Sequence, residues 1–167
     1  ECRGGNRRLR HREGEGRQVS AMADERIPGD RVVGRTKQGE LTVDEIADLL
    51  PGFASLMDEL ARRYWVMYYA ARAGNWDLAR YEWRESVKLL QKMAKTRPKY
   101  AEDLAAFERE TFSRIGESLE NTDVAAFERA VQDGIVASDS YHDKWAKPYI
   151  RFRLPNRPPD FLDVSRD

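Results

Sequence analysis

Hydrophobic residues return every three or four positions along four long stretches of this chain, the spacing of an amphipathic helix with one buried face. The first stretch follows Pro51, a residue suited to an opening helical turn, and reaches about Ala73 with Phe53, Leu56, Met57, Leu60, Tyr64, Met67 and Ala71 in one stripe. Gly74 and Asn75 then supply a C′ residue and an N-cap, so a tight turn leads into a second helix, Trp76 to about Thr96. That helix carries Leu78, Tyr81, Leu89 and Met93 on one side, with Trp83, Val87 and Leu90 beside them. Arg97-Pro98 stops it, because the residue before proline avoids the α region. A third helix is predicted from near Tyr100 to Leu119, turning Leu104, Phe107, Phe112, Ile115 and Leu119 inward. Asn121-Thr122-Asp123 breaks and caps, and the fourth runs from Val124 to about Ala146 with Val124, Phe127, Val131, Ile135, Ser138, His142 and Trp145 in its stripe. Four helices on short links predict an all-α fold, an antiparallel up-down four-helix bundle over residues 42–154.

The flanks read differently. Residues 1–41 are rich in Arg, Gly and Glu without either period, and such a segment is expected to be a disordered N-terminal tail. Thr42 and Glu45 form a T-x-x-E capping box that opens a short leading helix, Val43 to Leu50. Residues 155–167 contain Pro158-Pro159 and are expected to be an extended C-terminal tail, with Phe161 packed back on the helices. Only Tyr149 to Leu154 alternates as a strand would, and it has no partner in the pattern.

Composition narrows the class. The chain has 29 basic and 29 acidic side chains, so no bulk field recruits nucleic acid or a membrane surface. Residues 1–41 hold ten of the basic and seven of the acidic groups, a small excess. The one cysteine, Cys2, lies in the tail, which rules out an internal disulfide. No apolar run approaches the roughly 18 residues of a membrane span, and no h-region follows the early arginines, so a cytoplasmic protein is expected. Met22-Ala23 reads as the native start. Gly-rich phosphate loops, a Ser-His-Asp set, paired metal-spaced cysteines and H-E-x-x-H are all missing, so nothing points to an enzyme.

Three segments carry a likeness. Ala73-Gly74-Asn75-Trp76-Asp77-Leu78-Ala79-Arg80-Tyr81-Glu82 matches an A-x-N-W-x-L-A-x-Y-E hairpin signature. Asp123-Val124-Ala125-Ala126-Phe127 matches a D-x-A-A-F helix opening, and Lys147-Pro148-Tyr149-Ile150 leads on to Arg157-Pro158-Pro159-Asp160-Phe161. On these residues the chain resembles the small bacterial four-helix-bundle proteins related to c-type cytochromes, over roughly Val43 to Phe161. That family carries C-x-x-C-H near the end of the fourth helix, where this chain has Ser138-Asp139-Ser140-Tyr141-His142. The family's histidine on the first helix is matched by Tyr64. The resemblance therefore implies the bundle and the place of a haem site without its two thioether anchors, so no covalent haem is expected.

The candidate residues follow from that place. His142 is the only histidine within the helical region; it either ligates a non-covalent haem or a metal, or is a partly buried histidine bonded to a neighbour. Asp139 and His142 make a D-x-x-H spacing, half of a carboxylate-bridged metal site. Tyr64, Tyr68, Tyr141 and Trp145 are expected to fill the space a porphyrin would need, and Ser138 to bond a carbonyl four residues back. Glu82 and Glu85, next to the second stripe, are expected at an edge or paired with Arg62 or Arg63; an acid-base role would need Glu82 beside His142. Seven aromatics between Tyr64 and Trp83 exceed what one face can bury, so some line a cleft, cap an end or form a partner patch. Lys144, Lys147, Arg151, Arg153 and Arg157 read as a solvated edge or a dock for an acidic group. Two functions follow: a non-enzymatic interaction or ligand-binding module whose partner is an unknown protein, a small ligand or a second copy in a homo-oligomer, or a haem-binding sensor or electron carrier using His142.

Overall fold

The computed structural model describes residues 27–165, which fall into two compact units divided between Leu50 and Pro51. In the first unit β1 (Val32–Thr36) and β2 (Gly39–Thr42) pair antiparallel as a hairpin, and α1 (Val43–Asp48) follows. The stretch expected to be disordered through residue 41 is thus a hairpin from Val32 onward, and the helical unit begins at Pro51, later than residue 42. No strand forms over 149–154. The reason is local: Val32, Val33, Thr36 and Thr42 are β-branched and favour extended backbone, while Lys37-Gln38 makes a two-residue turn. The arms have five and four residues with a bulge between Val32 and Gly34, too short and broken for alternation to show as a period. Residues 1–26, with Met22 and the rest of the expected tail, lie outside the described residues.

The capping box forms as the sequence predicts. Glu45 N–H donates to Thr42 Oγ1 at 3.2 Å, and Thr42 N–H donates to Glu45 Oε2 at 2.8 Å. The Thr42 backbone, and then its hydroxyl, hold the Glu45 carboxyl below its ordinary range.

In the second unit, α2 (Phe53–Arg72), α3 (Trp76–Thr96), α4 (Ala101–Phe107), α5 (Ser113–Glu120) and α6 (Val124–Lys144) hold most of the residues. The described chain is mostly helical. Gly74 sits at φ +78°, the left-handed conformation that ends α2 most cheaply without a Cβ. Asn75 Oδ1 accepts from Leu78 N–H at 3.2 Å, and Asp123 Oδ1 from Ala126 N–H at 2.9 Å, so both predicted N-caps form. α2 packs along α3, α3 also meets α4 and α5, α5 lies on α6, and α6 reaches back to α2. Tyr81 and Val124, expected inward, are 48% and 40% exposed. Glu82 takes the inward place in α3 because it has a partner there, and Tyr81, a third of a turn away, faces out.

The third stretch is interrupted. A 3₁₀ turn, Pro98–Tyr100, precedes α4, and a π-helical turn, Glu108–Phe112, separates α4 from α5. In an unbroken α-helix Phe107 and Phe112, five apart, diverge by about 140°. The π turn returns both to the buried face, with ring centroids 5.6 Å apart. Side chains bond its carbonyls: Ser113 Oγ donates to Arg109 O, Arg114 Nε to Glu110 O at 2.6 Å, and Trp83 Nε1 to Phe112 O at 2.8 Å.

Beyond α6 the described residues have no regular structure and are tied to α2 by side-chain donors. Trp65 Nε1 donates to Arg157 O at 2.7 Å, Tyr69 Oη to Pro155 O at 3.0 Å, and Asn75 Nδ2, from the α2–α3 turn, to Ser165 O at 2.9 Å. Phe161 lies edge-on to Trp65 and 5.4 Å from the Arg62 guanidinium, yet stays 57% exposed; Pro159 and Val164 are the buried residues of the tail.

Candidate ligand cavity

A cavity of about 590 Å³ opens among the first turns of α2, the end of α3, α4, the last turns of α6 and the segment that follows it. Its depth is buried and apolar, with Leu60, Leu90, Leu104, Phe107 and Ile135. Its rim is exposed and charged, with Asp58, Arg97, Lys99 and Arg151. The volume falls within the roughly 300–1,000 Å³ of small-molecule sites. A shallow space over Arg31–Arg35 is more open and walled only by that run of residues.

The space is open where the sequence suggested closure. Rings that were expected to fill it brace its walls instead. Tyr100 lies between Phe53 and Trp145, with centroids at 4.8 and 4.6 Å, and Phe107 meets Tyr141 edge-on at 6.0 Å. Trp145 Nε1 donates to Asp103 Oδ2 at 2.8 Å, which holds that ring in the wall. Lys144 Nζ reaches the same carboxylate at 2.7 Å and, more than the indole N–H, holds Asp103 below its ordinary value against the opposing effect of burial. Tyr68 points elsewhere, over Tyr69 and Phe127.

Tyr64, Ser138, Tyr141 and His142, the four residues singled out from the sequence, all line this cavity. Tyr64 is 5% exposed, and its Oη has no hydrogen-bond partner among the described residues. Burial pushes its phenol well above the ordinary range, so it stays protonated and able to donate. The hydroxyl sits against Gly134, where a Cβ would collide with it and lie 2.8 Å from Thr111 Cγ2. An isolated glycine inside an apolar helix usually has such a packing reason, and that was its only mark in the sequence. The bond expected of Ser138 is made by Ser140, whose Oγ donates to Val136 O at 3.1 Å; Ser138 is half-buried on the cavity wall.

His142 is half-buried, and its Nδ1 is enclosed without a partner among the described residues. Burial holds the imidazole below its ordinary value; Asp139, the Ile150 backbone and Asp143 oppose this, and Arg151 adds to it. The ring is therefore neutral at neutral pH and keeps a nitrogen lone pair, the form that ligates metals. Asp139 uses its carboxylate on the Phe152 N–H, at 3.3 Å. Among the described residues no three His, Cys, Asp or Glu side chains gather into a metal site, so the D-x-x-H spacing does not grow into one.

Glu82 is 4% exposed and takes part in a partly buried network. Arg63 Nη1 donates to Glu82 Oε2 at 2.8 Å and Arg63 Nη2 to Glu59 Oε1 at 2.7 Å. Burial works against the charge on Arg63, and the two carboxylates more than offset it. Glu85 pairs with Lys88 at 2.7 Å, and neither Glu82 nor Glu85 lines the cavity. The basic edge divides in the same way: Lys144 bonds Asp103, Arg151 bonds Asp143 and Arg157 bonds Asp160. Arg97, Lys99 and Tyr100, in the connection between α3 and α4, belong to the site and had no distinguishing spacing in the sequence.

No family model, no curated protein and no solved structure matches the chain. The likeness to the cytochrome-related bundles rests on the sequence segments alone.

Proposed function

We propose that residues 51–165 form an antiparallel up-down four-helix bundle, with α4, the π turn and α5 as its third rod, and that this bundle is a non-enzymatic module binding an apolar small molecule. One observation carries the reading: the cavity gathers Tyr64, Ser138, Tyr141 and His142, residues set 74 or more positions apart in sequence or at the end of α6. The absence of cysteine from residues 138–142 and the commitment of Glu82 to Arg63 support binding over chemistry. The test is a titration with an uncharged fluorescent apolar probe. Saturable uptake by the wild-type protein, abolished in Ser138→Trp while helicity is kept, supports the reading. A probe that never binds, or binds equally to Ser138→Trp, removes it.

A second reading has its own observation, the neutral His142 in the wall of a space this large. The lining residues fit a haem in that His142 would offer a neutral imidazole nitrogen and Tyr64, buried and kept protonated, would act as a hydrogen-bond donor. His142 would ligate the iron and the rim cations would face the carboxylates, and bound haem would supply redox or gas-sensing chemistry. Added haemin giving a Soret shift that His142→Ala abolishes supports this reading; an unshifted band ends it.

A further inference from the structure

We propose that the cavity takes a single-tailed apolar carboxylate of the fatty-acid kind, tail inward and carboxylate at the rim; this rests on the ligand-binding reading above. The polarity runs with depth. Leu60, Leu90, Leu104 and Phe107 are buried at the inner end, whereas Arg97, Lys99 and Arg151 are exposed at the mouth. A molecule that matches both must be apolar at one end and polar at the other.

The sign of the polar end follows from which rim charges are already engaged. Arg97, Lys99, Lys147 and Arg151 line the cavity, as do Asp58 and Asp103. Asp103 is bound by Lys144 and Trp145, and Arg151 by Asp143. That leaves three lining cations against the one remaining lining carboxylate, Asp58. Arg97 Nη1 reaches only the Thr96 carbonyl, at 2.7 Å, and Lys99 Nζ lies over the Tyr100 ring at 4.7 Å. Among the described residues none of Arg97, Lys99 and Lys147 has a carboxylate partner. The excess is local, since the whole chain balances at 29 against 29. Two of these cations come from the α3–α4 connection and one from the segment after α6, so two segments distant in sequence supply the positive charge that an anionic head would pair with. Neutral or cationic heads would leave this charge uncompensated.

Calorimetric titration of the intact protein with dodecanoate, dodecanol and dodecylamine tests the proposal. Dodecanoate is expected to bind about tenfold or more tighter than dodecanol, a difference that one well-placed charge contact supplies, with dodecylamine weakest. Added salt should shrink that preference. In Lys99→Glu/Lys147→Glu the order of dodecanoate and dodecylamine is expected to reverse. Arg97→Glu/Lys147→Glu provides an independent version should the first variant lose its helical circular dichroism. Equal binding of the three amphiphiles, or tightest binding of the amine, overturns the carboxylate proposal and leaves the apolar-cavity reading standing. Haemin binding without dodecanoate binding also overturns it. If neither these compounds nor the uncharged probe binds, both readings fall.

Discussion

Around Phe127 and Leu119 the helices of the second unit meet through small residues. Ala70, Ala71 and Ala79 have no exposed surface, and Gly116 lies so near Trp83 that a Cβ would stand 2.5 Å from its Cζ2. Around Phe107 and Tyr141, toward the other ends of the same helices, large rings touch edge to edge and the space between them stays open. Small residues let backbones approach until large neighbours interlock at crystal-like density. Rings anchored at their polar tips, as Trp145 is on Asp103, hold their elements apart. Apolar content alone does not close a core; the alternation of large with small does. The Gly134–Tyr64 contact is placed where one regime gives way to the other.

The largest expected contrast comes from truncating one ring in each region. Phe127→Ala removes a side chain with no exposure and should cost about 3–5 kcal/mol. Tyr141→Ala, already beside open space, should cost only about 1 kcal/mol. Urea unfolding of the two variants measures the difference, and equal losses would mean that the cavity end is as tightly packed as the other.

Gly134→Ala tests the boundary. Its Cβ has to displace the Tyr64 hydroxyl, so a loss of about 1–3 kcal/mol is expected in spite of alanine's better helix propensity. Adding Tyr64→Phe removes the nearest obstructing atom and should recover most of that loss. Strictly additive effects of the two substitutions would show that they do not touch.

Tyr64→Phe alone should stabilise the unliganded protein by about 1 kcal/mol, because it deletes a buried hydroxyl without a partner. Thermal melts check this, and a destabilised variant would reveal a bond to that hydroxyl.

The smallest effect is a dependence on pH. Burial sets His142 below its ordinary value of 6.5 in the folded protein, so the unfolded chain takes up the proton first as pH falls. That contribution to stability is complete above 6.5 and is lost as pH falls below it, until the folded protein also binds the proton. The urea midpoint should therefore drop on acidification below pH 6.5, and His142→Gln should flatten that part of the profile. Asp103, held below its ordinary value of 3.8, acts in the same direction only in more acid solution, so the two windows separate. An unchanged profile in His142→Gln would show that the imidazole titrates normally.

The helices and their caps were legible because they are local. Thr42 and Glu45, Gly74 and Asn75, and Asp123 each sit within four residues of the group they bond. The π turn was legible in principle, since a five-residue step from Phe107 to Phe112 does not fit a 3.6-residue period. The hairpin was hidden because its arms are short and bulged. Tyr64, Ser138, Tyr141 and His142 stood out in the sequence only through a resemblance, and all four line the cavity, whereas its open state left no mark in the sequence.

The amino-acid order by itself determined where most of the helices are capped, most of the apolar face of each, and that Glu82 had to reach an edge or a cation. Those outcomes depend on backbone geometry and on the cost of burying a charge, both of which act wherever the residue lies. Only the tertiary structure decided that Arg63 would be that cation, that Tyr64 would meet Gly134 seventy residues away, and that the rings near His142 would prop apart a space of about 590 Å³. A cavity belongs to no residue. It is what remains after helices distant in sequence settle at distances fixed by their largest contacts, and no local pattern records that remainder.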